Sequence, residues 1–182
     1  MSPITTREIT YAALFTALVA AGAFVAIPVG PVPFTLQVLF VLLAGMVLGS
    51  RLGVLSVLAY LVLGLVAPVY AGGTSGLGVL FGPSGGYIWG FVLAALVTGL
   101  VARAGAPTLP RFVFAGLAGL APIYALGALW LALQLHLSAG AAIATGVAPF
   151  VLLDALKAVA AGLAARSLVS LPLGLPALQR DR

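Results

Sequence analysis

Asp154 and Lys157 are the two charged residues that lie within an apolar segment of this sequence, the run PFVLLDALKAVAAGLAA. The other charged side chains lie at the ends of apolar segments or in the connections between them. A charge at the bilayer centre costs about 2.5–3.5 kcal/mol on insertion scales, so an ionisable residue there is a functional-site hypothesis. At a spacing of three residues the two side chains share a helix face and can neutralise each other. The alternative is an ion pair that only fixes helix packing.

A carboxylate beside an ammonium group offers complementary hydrogen bonds to a small ligand. Asp154 would accept from N–H groups, and Lys157 would donate to a carbonyl or a carboxylate. A urea-like or amide-like head satisfies both side chains at once, within an otherwise apolar pocket. One acid beside one lysine, without serine or histidine grouped nearby, is poor equipment for hydrolysis, so no enzyme activity is expected. The sequence has one histidine, His136, and no cysteine, so neither a metal site nor a cofactor is expected.

The composition indicates where such a pair must reside. The chain has 182 residues, of which 63% are hydrophobic and 6% charged, and its mean hydropathy is +1.28. Long stretches with almost no charge are typical of transmembrane helices. The formal charge of +5 comes without a basic patch interleaved with aromatic residues, so nucleic-acid binding is not expected. We therefore predict an all-α membrane protein that forms a single domain over residues 1–182.

Proline, glycine and arginine divide the chain into apolar segments, which we interpret as transmembrane helices. The first is taken as a helix and not as a cleaved signal peptide, because further membrane segments follow it. The second and third are short and joined by the link GSRLG. The six predicted helices are 9–27, 36–49, 52–67, 84–103, 111–135 and 142–169.

The arginines predict the orientation of these helices. With six crossings, both termini and the links after the second and fourth helices share one side of the membrane. That side receives every arginine of the chain, namely Arg7, Arg51, Arg103, Arg111, Arg166, Arg180 and Arg182. By the positive-inside rule, both termini are then cytoplasmic and the protein is a multi-pass plasma-membrane protein.

The three outward connections are uncharged and rich in glycine and proline: PVGPVPFTLQ, APVYAGGTSGLGVLFGPSGG and HLSAGAAIATGVAP. The second is long enough to act as a lid or to fold back into the membrane, where protein or a water-filled cavity must satisfy its polar groups. Asp154 follows Pro149 and lies in the outer half of the last segment. The sequence therefore predicts that the charge pair and the glycine-rich loops meet at the same end of the bundle.

Several polar and aromatic residues near these loops are candidate ligand contacts. GPSGGY lacks the lysine of a nucleotide-binding loop, so Gly85 and Gly86 either contact a ligand or form a turn that caps the fourth helix. Gln37 either faces the pocket or extends toward the membrane surface. Aromatic belts are expected at the outer boundary, although any member could flank a ligand ring. The aromatic residues concerned are Tyr60, Tyr70, Tyr87 and Trp89.

Ala13 and Ala17 stand four residues apart on the first helix, and Ala21 continues the series. Small residues at this spacing let helix backbones approach closely in lipid. The stripe formed by these alanines serves either ordinary packing within the chain or docking of a partner membrane protein.

Four blocks of the sequence together resemble the BioY family, the biotin-specific S components of energy-coupling-factor (ECF) transporters. The combination of GPVPFTLQ, GPSGGY and a late DxxK is specific, and the resemblance covers essentially the whole chain. The blocks are IPVGPVPFTLQ (27–37), VLLAGMVLGSRLGVLSVLAYLVLG (41–64), AGGTSGLGVLFGPSGGYIWGF (71–91) and DALK (154–157).

The resemblance implies a six-helix S-component fold that captures biotin from the outer side. It implies a non-catalytic subunit that partners an ECF transmembrane coupling subunit and two cytoplasmic ATPase subunits, which drive inward release. Asp154 and Lys157 match the acid and lysine that contact the ligand in the family, and Ala13 and Ala17 match its docking stripe. Some relatives use an asparagine, which this chain lacks, so Thr74 or Ser75 is expected to replace it. The alternative is a small biotin transporter that works without the ATPases.

Overall fold

The structure is a computed structural model that describes residues 4–171. The regular secondary structure of this part of the chain is helical apart from one two-stranded hairpin, and it includes a short 3₁₀ turn at Ala71–Gly73, in agreement with the predicted all-α class. Arg180 and Arg182, which contributed to the predicted orientation, lie outside the described residues. The elements are α1 (Thr6–Phe24), β1 (Ala26–Val29), β2 (Val32–Thr35), α2 (Gln37–Val66), α3 (Leu77–Leu80), α4 (Gly85–Ala102), α5 (Leu109–Leu135), α6 (Ala139–Gly146) and α7 (Val151–Ser170).

Four of the described helices, α1, α2, α4 and α5, are long and apolar enough to cross a membrane. A fifth crossing is added if α6 and α7, which are bent by 52° at a short break, count as one broken span. Leucine, valine and phenylalanine side chains cover much of the outer surface of the bundle. Such a surface suits contact with lipid tails, so the described chain has the architecture of a multi-pass membrane protein.

The first predicted loop is an antiparallel hairpin, and the first helix ends earlier than expected. The sequence predicts a helix to residue 27, whereas α1 ends at Phe24 and β1 begins at Ala26. Pro28 and Pro33 pair across the hairpin, and proline cannot continue a helix because it lacks the amide hydrogen. Gly30 has a φ of 63° at the turn between the strands, a conformation that glycine adopts without steric cost.

α2 contains a reversal of the chain at Gly49, where the predicted link GSRLG begins. Gly49 has φ 78° and ψ 178°, outside the helical region. Gly45 and Gly53 would lie about 12 Å apart along a straight helix, yet a Cβ built on Gly53 would be 3.1 Å from the Cα of Gly45. The two arms of α2, residues 37–48 and 50–66, therefore pack against each other.

The end of α4 stabilises this reversal. The guanidinium of Arg103 donates to the carbonyl of Leu48, the last residue before the break, at 2.7 Å. This contact satisfies a carbonyl that the interrupted helix leaves without its usual amide partner. Gly99 lies so close to the break that a Cβ there would be 2.6 Å from the Cα of Ser50. Arg103 and Gly99 together hold the C-terminal half of α4 against the turn in α2.

α4 lies between α2 and α5 and packs against both. These three helices form the core of the bundle. Gly90 allows α4 and α5 to approach closely, since a Cβ at that position would be 2.8 Å from the Cα of Ile123. Pro122 lies inside α5 and removes one amide donor from the helical ladder. The half of α5 that follows Pro122 is the part that reaches the candidate site.

The last predicted helix, residues 142–169, is two helices separated by residues 147–150. Pro149 lies in this break. It interrupts the helix, because the residue before a proline is disfavoured in the helical region. Asp154 therefore falls in the first turn of α7, where the positive end of the helix dipole favours a carboxylate. Lys157 follows one turn later on the same face.

Candidate ligand-binding cleft

A cleft of about 710 Å³, counted with its open mouth, lies at the end of the bundle where α4 and α7 begin. Arg103 follows the last residue of α4 and contacts the break in α2. The break therefore lies at the other end of the bundle, about 27 Å from the cleft along the 18-residue α4. The apolar part of the wall includes Val32, Phe34, Val38, Ile88, Phe91, Ile123 and Phe150. The polar part comprises Thr35, Gln37, Thr74, Ser84, Tyr87, Tyr124, Asp154 and Lys157.

Asp154 and Lys157 form a buried ion pair within this wall. Lys157 Nζ lies 2.7 Å from Asp154 Oδ1, and the two residues are 7% and 4% exposed, respectively. The hydroxyl of Tyr124 on α5 donates to the other carboxylate oxygen, Oδ2, at 2.7 Å. Both oxygens of the carboxylate are thus hydrogen-bonded by side chains of two different helices, as a buried charge requires.

Lys157 also contacts the β1–β2 hairpin. Its ammonium group donates to the backbone carbonyl of Thr35 and lies 3.6 Å from the centroid of the Phe34 ring. A cation over an aromatic face is attracted by the ring quadrupole, most strongly when it is desolvated. One side chain of α7 therefore binds the carboxylate and holds the strand that enters α2.

A second set of hydrogen bonds continues from Thr35 into the bundle. Thr35 donates to the side-chain oxygen of Gln37, whose amide nitrogen donates to the hydroxyl of Tyr60. Tyr70 packs edge-on against Tyr60 with ring centroids 5.5 Å apart and donates to the carbonyl of Leu61. Gln37 thus lies in the wall of the cleft, with its amide group held from behind by Tyr60.

The interpretation of Tyr60 and Tyr70 as members of an aromatic belt is wrong, because both side chains are fully buried in the bundle. Their hydroxyl groups have partners inside the protein, which offsets the cost of burying them. Trp89 differs from them, since it is 37% exposed on the outer surface. His136 is the C-terminal cap of α5 in a left-handed conformation.

Five of the eight predicted ligand contacts line the cleft. These are Gln37, Thr74, Tyr87, Asp154 and Lys157. Tyr87 donates to the carbonyl of Gly146 at 2.8 Å and so joins α4 to α6 next to the cleft. Thr74 lies in the glycine-rich loop, which the bond from the amide of Gly76 to the carbonyl of Gly64 attaches to α2.

The other three predicted contacts do not line the cleft. Ser75 lies exposed in the glycine-rich loop. Gly85 packs against the carbonyl of Leu80, and Gly86 packs against Trp130 with too little room for a side chain at either position. The two glycines therefore serve the close packing at the start of α4, whereas Ser84 beside them does line the cleft.

Sequence reasoning missed Tyr124, Phe34 and Thr35. Tyr124 carried a usable signal, because a hydroxyl in the middle of a long apolar segment needs a hydrogen-bond partner. Phe34 and Thr35 belong to the motif GPVPFTLQ, yet the contact of either residue with Lys157 spans more than 120 residues of chain. No local pattern reports such a contact.

Ala13 and Ala17 are exposed on α1, on the side that does not pack against the bundle. The opposite side of α1 is buried through Ala12, Phe15 and Val19. Thr16 fastens it to α2 by donating to the carbonyl of Ser56 at 2.9 Å. Packing among residues 4–171 therefore does not use the alanine stripe.

The fold and the cleft define a helical membrane protein with a buried charge pair inside an apolar cleft at one end of its bundle. A model of the BioY family matches residues 1–172. The chain belongs to the BioY family.

Relatives and a solved structure match along most of their length. The biotin transporter BioY of Thermotoga maritima is 45% identical over 166 residues, which are 91% of this chain and 97% of the relative. The biotin transporter BioY of Rhodobacter capsulatus is 45% identical over 178 residues, with 89% and 93% coverage. The fold matches the crystal structure at 2.1 Å of the S-component for biotin from an ECF-type ABC transporter, with a TM-score of 0.83, 28% identity, and 93% and 96% coverage. These proteins are named as transporters and not as enzymes.

Proposed function

We propose that this protein binds biotin in the cleft and is the substrate-specificity subunit of an ECF-type vitamin transporter. The observation that carries the proposal is the buried pair of Asp154 and Lys157, set in an apolar cleft of a BioY-family chain. A pair that served only helix packing would not need to face a cleft. The subunit itself has no catalytic role, and biotin is its transported ligand.

The chemistry of the cleft suits the two ends of biotin. One ureido N–H group would donate to Asp154, and the ureido carbonyl would accept from Lys157 in place of the carbonyl of Thr35. The fused rings and the aliphatic chain would lie along the apolar wall. Gln37, Thr74 and Tyr87 are the proposed further contacts, because they provide hydrogen-bonding groups in the same wall.

The direct test is equilibrium binding of biotin to the purified, detergent-solubilised protein. We expect binding below micromolar concentration, because a largely preformed cleft loses little entropy on binding a rigid ring system. Wild-type protein without binding in that range would contradict the proposed function.

We further propose six crossings of the plasma membrane, with both termini in the cytoplasm and the cleft facing outward. The fold-back at Gly49 supports two crossings within α2, and Arg51, Arg103 and Arg111 lie at the end of the bundle remote from the cleft. The chain contains no cysteine, so single cysteines can be introduced without background. A membrane-impermeant maleimide should label Gly73→Cys in intact cells and should label Gly105→Cys only after lysis. The reverse pattern would contradict this orientation.

Uptake by this protein should depend on a transmembrane coupling subunit and two cytoplasmic ATPases. The similarity to an ECF S-component supports this dependence. The competing possibility is a transporter that works alone. Biotin uptake in a host without coupling-factor genes separates the two: uptake that requires the added module supports our proposal, and equal uptake without it supports the solitary transporter.

The alanine stripe of α1 predicts the docking face for the coupling subunit. Ala13→Leu with Ala17→Leu should reduce module-dependent uptake at least tenfold and leave biotin binding unchanged, because the added side chains separate the two backbones without reaching the cleft. Ala160→Leu with Ala164→Leu is the matched control, since these alanines have the same spacing and are exposed on α7. Equal losses from both pairs would exclude a specific role for α1.

A further inference from the structure

The carboxylate of Asp154 is held from two directions. Lys157 donates to Oδ1 from the next turn of α7, and Tyr124 donates to Oδ2 from α5. An ionised carboxylate has about four lone-pair sites on its two oxygens. After these two hydrogen bonds, each oxygen keeps about one acceptor site for a ligand.

The position of Tyr124 is itself tightly restrained. It follows Pro122 by two residues, in the half of α5 that lines the cleft. The backbone there lies against Gly90 of α4, where an added Cβ would be 2.8 Å from the Cα of Ile123 and 3.1 Å from the carbonyl oxygen of Pro122. Two packed helices therefore fix the point from which the phenol reaches Asp154.

The torsion that turns an aspartate carboxylate about its last carbon–carbon bond is broad and roughly two-fold. A hydrogen bond from Lys157 alone would fix Oδ1 and would leave the carboxylate plane without a fixed orientation. The hydroxyl of Tyr124 provides the second point, so that the carboxylate plane has one orientation before a ligand arrives. The two N–H bonds of a cyclic urea point away from each other on either side of the carbonyl, so one carboxylate accepts from only one of them. A carboxylate that is already oriented toward that N–H accepts it without further ordering.

We propose that Tyr124 is a positioning residue that orients the Asp154 carboxylate so that a remaining lone pair faces one ureido N–H group of the ligand. This inference rests on the proposed binding of biotin in the same cleft. It assigns specificity for the ureido head to a residue of α5 that acts through Asp154. The alternative is that the hydroxyl of Tyr124 only finds a hydrogen-bond acceptor in Asp154 and does not orient it. In that case its removal would affect folding and not the recognition of the ureido head.

The test is a double-mutant cycle of Tyr124→Phe and Asp154→Asn, with dissociation constants measured for biotin and desthiobiotin. Tyr124→Phe alone should weaken biotin binding about tenfold, because the ligand must then itself order the carboxylate of Asp154. Desthiobiotin should lose the same factor, because it keeps the cyclic urea and lacks only the sulfur. In the Asp154→Asn background, adding Tyr124→Phe should change the remaining affinity less than twofold, since the group that Tyr124 positions has been altered.

Two further measurements distinguish a positioning role of Tyr124 from a purely structural one. Of the two biotins that are methylated on one ureido nitrogen, one should show a smaller loss with Tyr124→Phe than biotin does, because it lacks the N–H group that donates to Asp154. Tyr11→Phe removes a tyrosine hydroxyl on α1 outside the cleft and should leave binding unchanged.

The inference is overturned if Tyr124→Phe binds biotin within twofold of the wild type. It is also overturned if the effects of the two substitutions on the dissociation constant multiply, or if both methylated ligands lose as much affinity as biotin. Tyr124→Phe protein that fails to fold would show a structural role and would equally overturn it. Wild-type protein that does not bind biotin would instead refute the proposed function, and the inference with it.

Discussion

Asp154→Asn and Lys157→Met should each raise the dissociation constant for biotin about a hundredfold and each lower the free energy of unfolding by about 3–5 kcal/mol. The magnitude is that expected when one partner of a buried ion pair is removed and the other charge stays behind. In Asp154→Asn the ammonium keeps the carbonyl of Thr35 but loses its counter-charge. In Lys157→Met the carboxylate keeps only the hydroxyl of Tyr124 among the two donors described above.

The double variant Asp154→Asn with Lys157→Met distinguishes ligand recognition from packing. It removes both charges and keeps side chains of similar volume, so stability should return to within about 1 kcal/mol of the wild type or exceed it. Biotin binding should stay at least as weak as in the single variants, because neither the carboxylate nor the ammonium is present. Stability is measured by the loss of helical circular dichroism during titration with dodecyl sulfate, and binding by equilibrium dialysis. A double variant that binds biotin normally would show that the pair only fixes the helices.

Gly99→Ala should lower the free energy of unfolding by about 3 kcal/mol, although alanine is the better helix former. A Cβ at Gly99 would be 2.6 Å from the Cα of Ser50 and 2.6 Å from the carbonyl carbon of Gly49. These are backbone atoms of the reversal in α2 and cannot rotate away, so α2 and α4 must separate. Overpacking of this kind costs about 1–3 kcal/mol and occasionally more.

Gly140→Ala is the matched control for this substitution. Gly140 also lies in a helix, α6, and nothing occupies the space within 4 Å of its added Cβ. The substitution should leave stability unchanged or raise it by up to about 1 kcal/mol, because alanine loses less backbone entropy in a helix. Dodecyl sulfate titration of the two variants in parallel gives the comparison. Equal effects at both glycines would mean that α2 and α4 do not meet as closely as the structure shows.

The membrane class and the charge pair could be predicted because they depend on local sequence. Long apolar runs indicate transmembrane helices whatever the tertiary fold is. Two charges within such a run are exceptional, and this is visible without knowledge of any tertiary contact. The spacing of Asp154 and Lys157 was enough to place them together, since a helix brings residues three apart onto one face. The break in α2 was also visible, because GSRLG interrupts an apolar run.

The ends of the helices were less predictable. The sequence predicts an outward connection and no strands where β1 and β2 lie, because Pro28, Pro31 and Pro33 conceal the strand pattern. The predicted last helix runs across Pro149, which separates α6 from α7. Both errors arose where short apolar stretches continue past a break in the helix, so that hydropathy alone does not locate the end.

By itself, the sequence determined a helical membrane protein with one buried charge pair, because both features follow from residue type and from spacing within a single helix. Only the tertiary structure decided what surrounds that pair. It brought Tyr124 to Asp154 and Thr35 to Lys157, buried Tyr60 and Tyr70 in the bundle, and excluded Gly85 and Gly86 from the cleft. These outcomes depend on how closely separate helices approach. That distance is fixed by glycine contacts between segments far apart in the chain, which no periodicity within one segment encodes.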